Sequence, residues 1–176
     1  MTAPRTRVLL CDDSHAFAAA LTRTLEHGGE IEVIGVRTTA EAAIGDLARL
    51  GPDLITIDVL LPGMSGLEAV EQIMSVRPTP ILVLSSRVGD DGDAAAAALA
   101  AGALEALDKS HLPLLDPAGA AAVAFRCRIK LLSRARVIRH PRAQLRGARL
   151  HAGIQAVVAL RQTLGQRPEG QRQTAV

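Results

Sequence analysis

Three short pieces of this 176-residue chain carry residue types that could act together. Cys11-Asp12-Asp13 closes one apolar run, Asp58 closes a second, and Lys109 follows a third. A carboxylate attacks a phosphorylated donor poorly because both partners are anions, so such a site must neutralise charge before attack. A hard divalent ion such as Mg2+, held by one or two carboxylates, water and phosphate oxygens, does this. Carboxylates gathered at strand ends beside a lysine therefore describe a magnesium-dependent phosphoryl acceptor. Taken singly the residues are ordinary: Asp12-Asp13 suits a helix start, Asp58 a turn, Lys109 a solvated surface. The joint placement carries the reading.

The elements that must position these residues are legible. Val8-Leu9-Leu10-Cys11 stops at two aspartates instead of at Gly or Pro, and Leu54-Ile55-Thr56-Ile57 stops at Asp58. The loop after Asp58, Leu61-Pro62-Gly63-Met64-Ser65-Gly66, is rich in turn formers. Each run precedes a helical pattern, so the strands are parallel and joined by crossovers. In such open sheets the ligand crevice lies beyond the carboxyl ends of the strands, where all three aspartates fall.

The remaining pattern extends this to five strand-helix units. A first strand over Arg7–Cys11 leads to a helix capped by Ser14, bearing Phe17, Ala20, Leu21 and Leu25 and ending near Gly28-Gly29. Ile31 to Val36 partly alternates, as an edge strand would. Thr38 with Glu41 reads as a capping box for a helix bearing Ala42, Ala43, Leu47 and Leu50, stopped by Gly51-Pro52. Gly66 to Val76 is a helix with Leu67, Val70, Ile73 and Met74 on one stripe. Ile81 to Leu84 is a buried strand leading to Ser85-Ser86, and Ala94 to Ala101 is an alanine-rich helix capped by Gly102. Leu104 to Leu107 is a fifth strand, and Asp116-Pro117 opens a helix running toward Arg139. This order implies an α/β fold, a doubly wound, five-stranded parallel sheet.

Composition narrows the function classes. There is no Trp or Tyr, and Phe17 and Phe125 are the two phenylalanines, so stacking on nucleic-acid bases has almost nothing to work with. The two cysteines, Cys11 and Cys127, form neither a spaced pair nor a metal cluster and read as small buried or half-buried residues in a reducing compartment. The run from Val8 meets Asp12 after four residues, so no membrane segment is read there and a cytoplasmic location is expected. The net charge of +2 hides an asymmetry. Residues 1–125 hold eight Lys/Arg against seventeen Asp/Glu, and residues 126–176 hold twelve against one. An acidic module carries a basic tail.

Asp12, Asp13, Asp58, Ser85 and Lys109 match, in order and spacing, the site of the receiver domains of two-component response regulators, which residues 5–135 resemble. Within that superfamily the chain is most similar to the receiver portion of chemotaxis protein-glutamate methylesterases, through Asp53–Asp58, Pro78–Ser86 and Phe125–Lys130. The resemblance implies that Asp58 is the phosphoacceptor, that Asp12 and Asp13 are the acidic Mg2+ pair, and that Ser85 and Lys109 bind the phosphoryl oxygens. On the chemistry, Asp13 and Asp58 are expected as direct metal ligands, Asp12 through water, and the Leu60 carbonyl as a backbone ligand. A histidine kinase is the implied phosphodonor and a downstream protein the implied partner, with a homodimer also open.

Departures from the receiver pattern are specific. Ser110 follows Lys109 where the family places a cis proline, so a trans bond and a shifted loop are expected. Ala106 stands where receivers usually carry Phe or Tyr. Leu60 and Arg87 flank the site, and both point either to slower phosphate loss or simply to solvent-facing loop positions. After Asp116 there is no aspartate, Ser133 is the only serine, and no G-x-S-x-G elbow occurs, so no methylesterase is expected within this chain. Residues 136–176 read as an Arg-rich linker and helical tail, with an amphipathic helix over Arg142–Gln166 and a polar, disordered end from Arg167 to Val176. The alternatives are a nucleic-acid-associated regulator using that tail, or a truncated chemotaxis regulator lacking its esterase. The tail lacks a groove-reading module, so DNA is not the expected partner.

Overall fold

Among the described residues the apolar runs become strands and the amphipathic runs helices. The computed structural model describes residues 4–86 and 93–138. In chain order the elements are β1 (Thr6–Cys11), α1 (His15–Glu26), β2 (Ile31–Arg37), α2 (Ala40–Leu50), β3 (Leu54–Asp58), α3 (Gly66–Val76), β4 (Ile81–Ser85), α4 (Asp93–Ala101), β5 (Glu105–Asp108), a 3-10 turn (Lys109–His111) and α5 (Ala120–Leu132). The strands form one parallel sheet in the order β2-β1-β3-β4-β5. This is the expected five-stranded, doubly wound, flavodoxin-like architecture.

The alternation of side chains along each strand divides the core in two. Leu9, Cys11, Ile55, Ile57, Ile81 and Val83 face one way, onto Ala43 and Leu47 of α2, Val70 and Ile73 of α3 and Ala98 of α4. Val8, Leu10, Leu54, Leu82 and Leu84 face the other way, onto Leu21 and Leu25 of α1 and Phe125 and Ile129 of α5. Both faces of the three inner strands are covered, which is why β3 and β4 read as unbroken apolar runs. Each fully buried Leu or Ile contributes ~1.5–3 kcal/mol of transfer free energy.

Three local expectations are corrected. The cap of α2 is Thr39, whose hydroxyl accepts from the Ala42 N–H at 3.3 Å, in place of a Thr38–Glu41 box. Glu41 then sits too early in the helix to reach back to the cap, and its Oε1 accepts instead from the Met64 N–H at 3.2 Å. The last helix begins at Ala120, not at Asp116-Pro117, and ends at Leu132, short of Arg139. Asp116 caps a separate turn by accepting from the Gly119 N–H at 3.1 Å. The Pro117 carbonyl takes a 2.7 Å bond from the buried Arg126, whose same nitrogen also reaches the Thr24 carbonyl at 3.1 Å. Cys11 is buried as expected, but Cys127 is exposed, because it lies on the face of α5 turned away from the sheet. Arg87 and its loop to Gly92, and the expected helix over Arg142–Gln166 with the tail that follows, lie outside the described residues.

Candidate functional site

The strand order brings the chemistry together. β1 and β3 are adjacent, with Cys11 opposite Ile57, so Asp12 and Asp58 emerge side by side at the carboxyl edge of the sheet. β4 and β5 pair Ser85 with Asp108, which places Lys109 one residue beyond the same edge. Asp12, Asp58 and Ser85 are buried, at 3%, 5% and 1% exposure, while Asp13 is exposed. All five side chains singled out in the sequence therefore sit at one end of the sheet.

Lys109 is the hub. Its Nζ lies 2.5 Å from Asp58 Oδ2 and 2.6 Å from Asp12 Oδ2, with 13% of the side chain exposed. Asp58 Oδ1 accepts from the Leu60 N–H at 3.1 Å, and Asp12 Oδ1 from the Ser14 N–H at 3.0 Å. Asp12 Oδ2 is held by the same ammonium as Asp58 Oδ2, so one lysine charge is shared between two buried carboxylates. The Lys109–Ser110 peptide is trans and the chain turns at once into the 3-10 turn, where Asp108 Oδ1 accepts from the Ser110 N–H at 2.7 Å. This local turn takes the place of the proline-directed loop.

The electrostatics follow from burial. Desolvation raises the Asp12 carboxyl above its ordinary value, aided by the nearby Asp58 charge and opposed by Lys109 and the Ser14 N–H. Burial alone would lower the Lys109 ammonium, but the two carboxylates outweigh it and hold its pKa above the ordinary lysine value. Cys11, on the inner side of the cluster, is pushed up to about 12 by burial and by the Asp12, Asp58 and Glu41 charges, and its Sγ donates to the Thr39 carbonyl at 3.4 Å.

One carboxylate oxygen from each of Asp12, Asp13 and Asp58 lies within 4.8 Å of the others. Oxygen donors without nitrogen or sulfur suit a hard cation. The donor set, three carboxylates of which two are buried at the strand ends, fits such an ion.

Two site residues went unread in the sequence. Glu41 ties α2 to the loop that follows Asp58. Phe17 places its ring 4.4 Å below the Lys109 ammonium. By its spacing Phe17 belongs to the apolar stripe of α1, and its rarity in a chain with two aromatic residues is the signal of a second role.

Residues 8–113 match the family model described as the response regulator receiver domain. The chain belongs to the response regulator receiver family. Over 133 residues this receiver is 36% identical to a protein-glutamate methylesterase/protein-glutamine glutaminase of Shewanella frigidimarina. It is 37% identical, again over 133 residues, to the protein of the same description from Pseudoalteromonas translucida. Each match takes in 76% of this chain but 33% and 34% of those proteins, so the chain spans about a third of the length of the curated relatives it matches. The response regulator domain of Thermotoga maritima CheB is a solved neighbour at 25% identity and a TM-score of 0.65, covering 76% of this chain and 99% of that one. The signal receiver domain of the putative response regulator NarL from Mycobacterium tuberculosis follows at 26% identity and 0.62, covering 73% and 98%. No helix among the described residues of this receiver is long and apolar enough to cross a membrane.

Proposed function

We propose that this receiver accepts a phosphoryl group on Asp58 from a phosphohistidine of a histidine kinase and signals the change to a protein partner. One observation carries the reading: a half-buried lysine ammonium stands 2.5 and 2.6 Å from two carboxylates at the ends of adjacent parallel strands. A carboxylate oxygen of Asp58 attacks phosphorus, an acyl phosphate forms, the phosphorus–nitrogen bond to the donor imidazole breaks, and the imidazole departs with a proton. Asp13 and Asp58 would hold Mg2+ directly, Asp12 through water, with the Leu60 carbonyl completing the protein's share. When bound, the ion neutralises charge between the carboxylate and the incoming phosphoryl oxygens.

The chain's own residues then divide the work. The Leu60 N–H fixes one oxygen of Asp58, so the carboxylate presents a constant face. Lys109 supplies charge, and Ser85 a hydroxyl, to the equatorial oxygens as negative charge builds on them. Methylester hydrolysis by this chain is not expected, because Ser133 is the only serine beyond Asp116 and no aspartate lies there.

Incubating the protein with a small phosphodonor and Mg2+ tests the proposal. Stable label should appear in the parent and be absent from Asp58→Asn. Label persisting at full stoichiometry in that variant would overturn it.

A further inference from the structure

Four contacts close into a ring at the site. Asp12 Oδ1 accepts from the Ser14 N–H at 3.0 Å, and the Ser14 hydroxyl accepts from the Phe17 N–H at 3.3 Å. The Phe17 ring lies 4.4 Å from the Lys109 ammonium, which returns to Asp12 Oδ2 at 2.6 Å. The residue that caps α1 thus also fixes where the ring stands, and the ring packs against the core cluster containing Leu10, Leu21 and Leu84.

Lysine is a flexible chain ending in a strongly hydrated charge, and it holds one position only where its surroundings impose it. Asp12 and Asp58 attract the ammonium from one direction but leave it free to swing toward solvent. An aromatic face attracts a cation through its quadrupole, most strongly where water is excluded, and this lysine is 13% exposed. A leucine would serve the apolar packing of α1 equally well but would offer the ammonium nothing.

We propose that Phe17 is a positioning residue for phosphoryl acceptance: its ring face holds the Lys109 ammonium where it meets Asp12 and Asp58. The role in acceptance rests on the function proposed above. The hold on Lys109 does not, and it can be read in metal-free protein.

Lys109 and Lys130 are the only lysines in the chain. Lys130 pairs with Glu30 at 2.8 Å, far along α5, and serves as an internal reference. The experiment compares parent, Phe17→Leu and Phe17→Tyr by acylating amines with a water-soluble ester and following each lysine peptide by mass spectrometry. Phe17→Leu should raise the rate at Lys109 roughly threefold to tenfold while Lys130 is unchanged, and Phe17→Tyr should stay near the parent. Labelling by a small phosphodonor should slow in Phe17→Leu and recover in Phe17→Tyr. Unchanged Lys109 reactivity in Phe17→Leu, equal acceleration at both lysines, or failure of Phe17→Tyr to recover would overturn the proposal. If the parent itself takes no phosphate, the proposed function and the role in acceptance fall, and the lysine rates still decide whether the ring holds Lys109.

Discussion

Gly66 lies so close to Asp58 that a β-carbon on it would overlap the Asp58 carbonyl oxygen. Its N–H donates to the Val59 carbonyl at 3.0 Å, so the first residue of α3 is seated on the backbone that carries the proposed acceptor. Gly66→Ala must push α3 and the end of β3 apart. Overpacking of this kind costs ~1–3 kcal/mol. Urea denaturation should show that loss, and phosphodonor labelling should slow in the folded fraction. An unchanged midpoint with unchanged labelling would mean that the contact relaxes freely.

The Asp12 carboxylate should weigh against stability at neutral pH. Burial raises the Asp12 carboxyl, so between its ordinary value of 3.8 and the raised one the folded chain binds more protons than the unfolded chain. Its favourable contribution is complete below 3.8 and is lost as pH rises through the folded value. Lys109, held above 10.5 on balance by its two carboxylate partners against burial, contributes stability that persists until the pH climbs through its own raised value. Asp12→Asn keeps an oxygen for the Ser14 N–H and leaves Asp58 for Lys109. The variant should be more stable than the parent near neutral pH, with the gap narrowing as pH falls toward 4. Denaturation across that range decides it, and a gap that widens in acid would refute the desolvation argument.

The two thiols should part company. Cys11 is 1% exposed with its pKa pushed up to about 12, while Cys127 is on the surface. A thiol reagent at neutral pH should modify one cysteine per native chain, at Cys127, and both after denaturation. Peptide mapping is the check, and rapid native modification of Cys11 would show that the strand end opens readily.

Signal output should bypass the strand-five face. Ala106 is small, partly buried against the core, and has no ring to swing. Hydrogen exchange with and without a phosphoryl mimic should change outside Glu105–Asp108, and changes confined to that strand would contradict this.

The sequence revealed the sheet because its cues were strong. Apolar runs ended at charged residues, Gly66 opened a helix, and Gly102 closed one with φ +114. Asp12, Asp58, Ser85 and Lys109 were legible as strand-end residues before any contact was known. What escaped notice depended on packing over long separations. Thr38 and Thr39 are interchangeable as caps until the backbone bends at one of them. Asp116-Pro117 has the chemistry of a helix start, but the Arg126 bond to the Pro117 carbonyl commits it to a turn. Phe17 carries the signature of a core residue, and only the return of Lys109 from the far end of the sheet reveals its second contact.

Lys109 is separated from Asp58 by fifty-one positions and stands just past the last strand of the sheet. The acidic pair is therefore complete in sequence long before its counter-charge can arrive. Local turns cannot supply it; the closure is long-range, and such contacts form slowly because the loop entropy comes first. During synthesis, β1 and β3 can associate while their terminal carboxylates still face water. Competence to take phosphate would then appear last, with the docking of β5, and a chain stalled before that strand would be folded in part and silent.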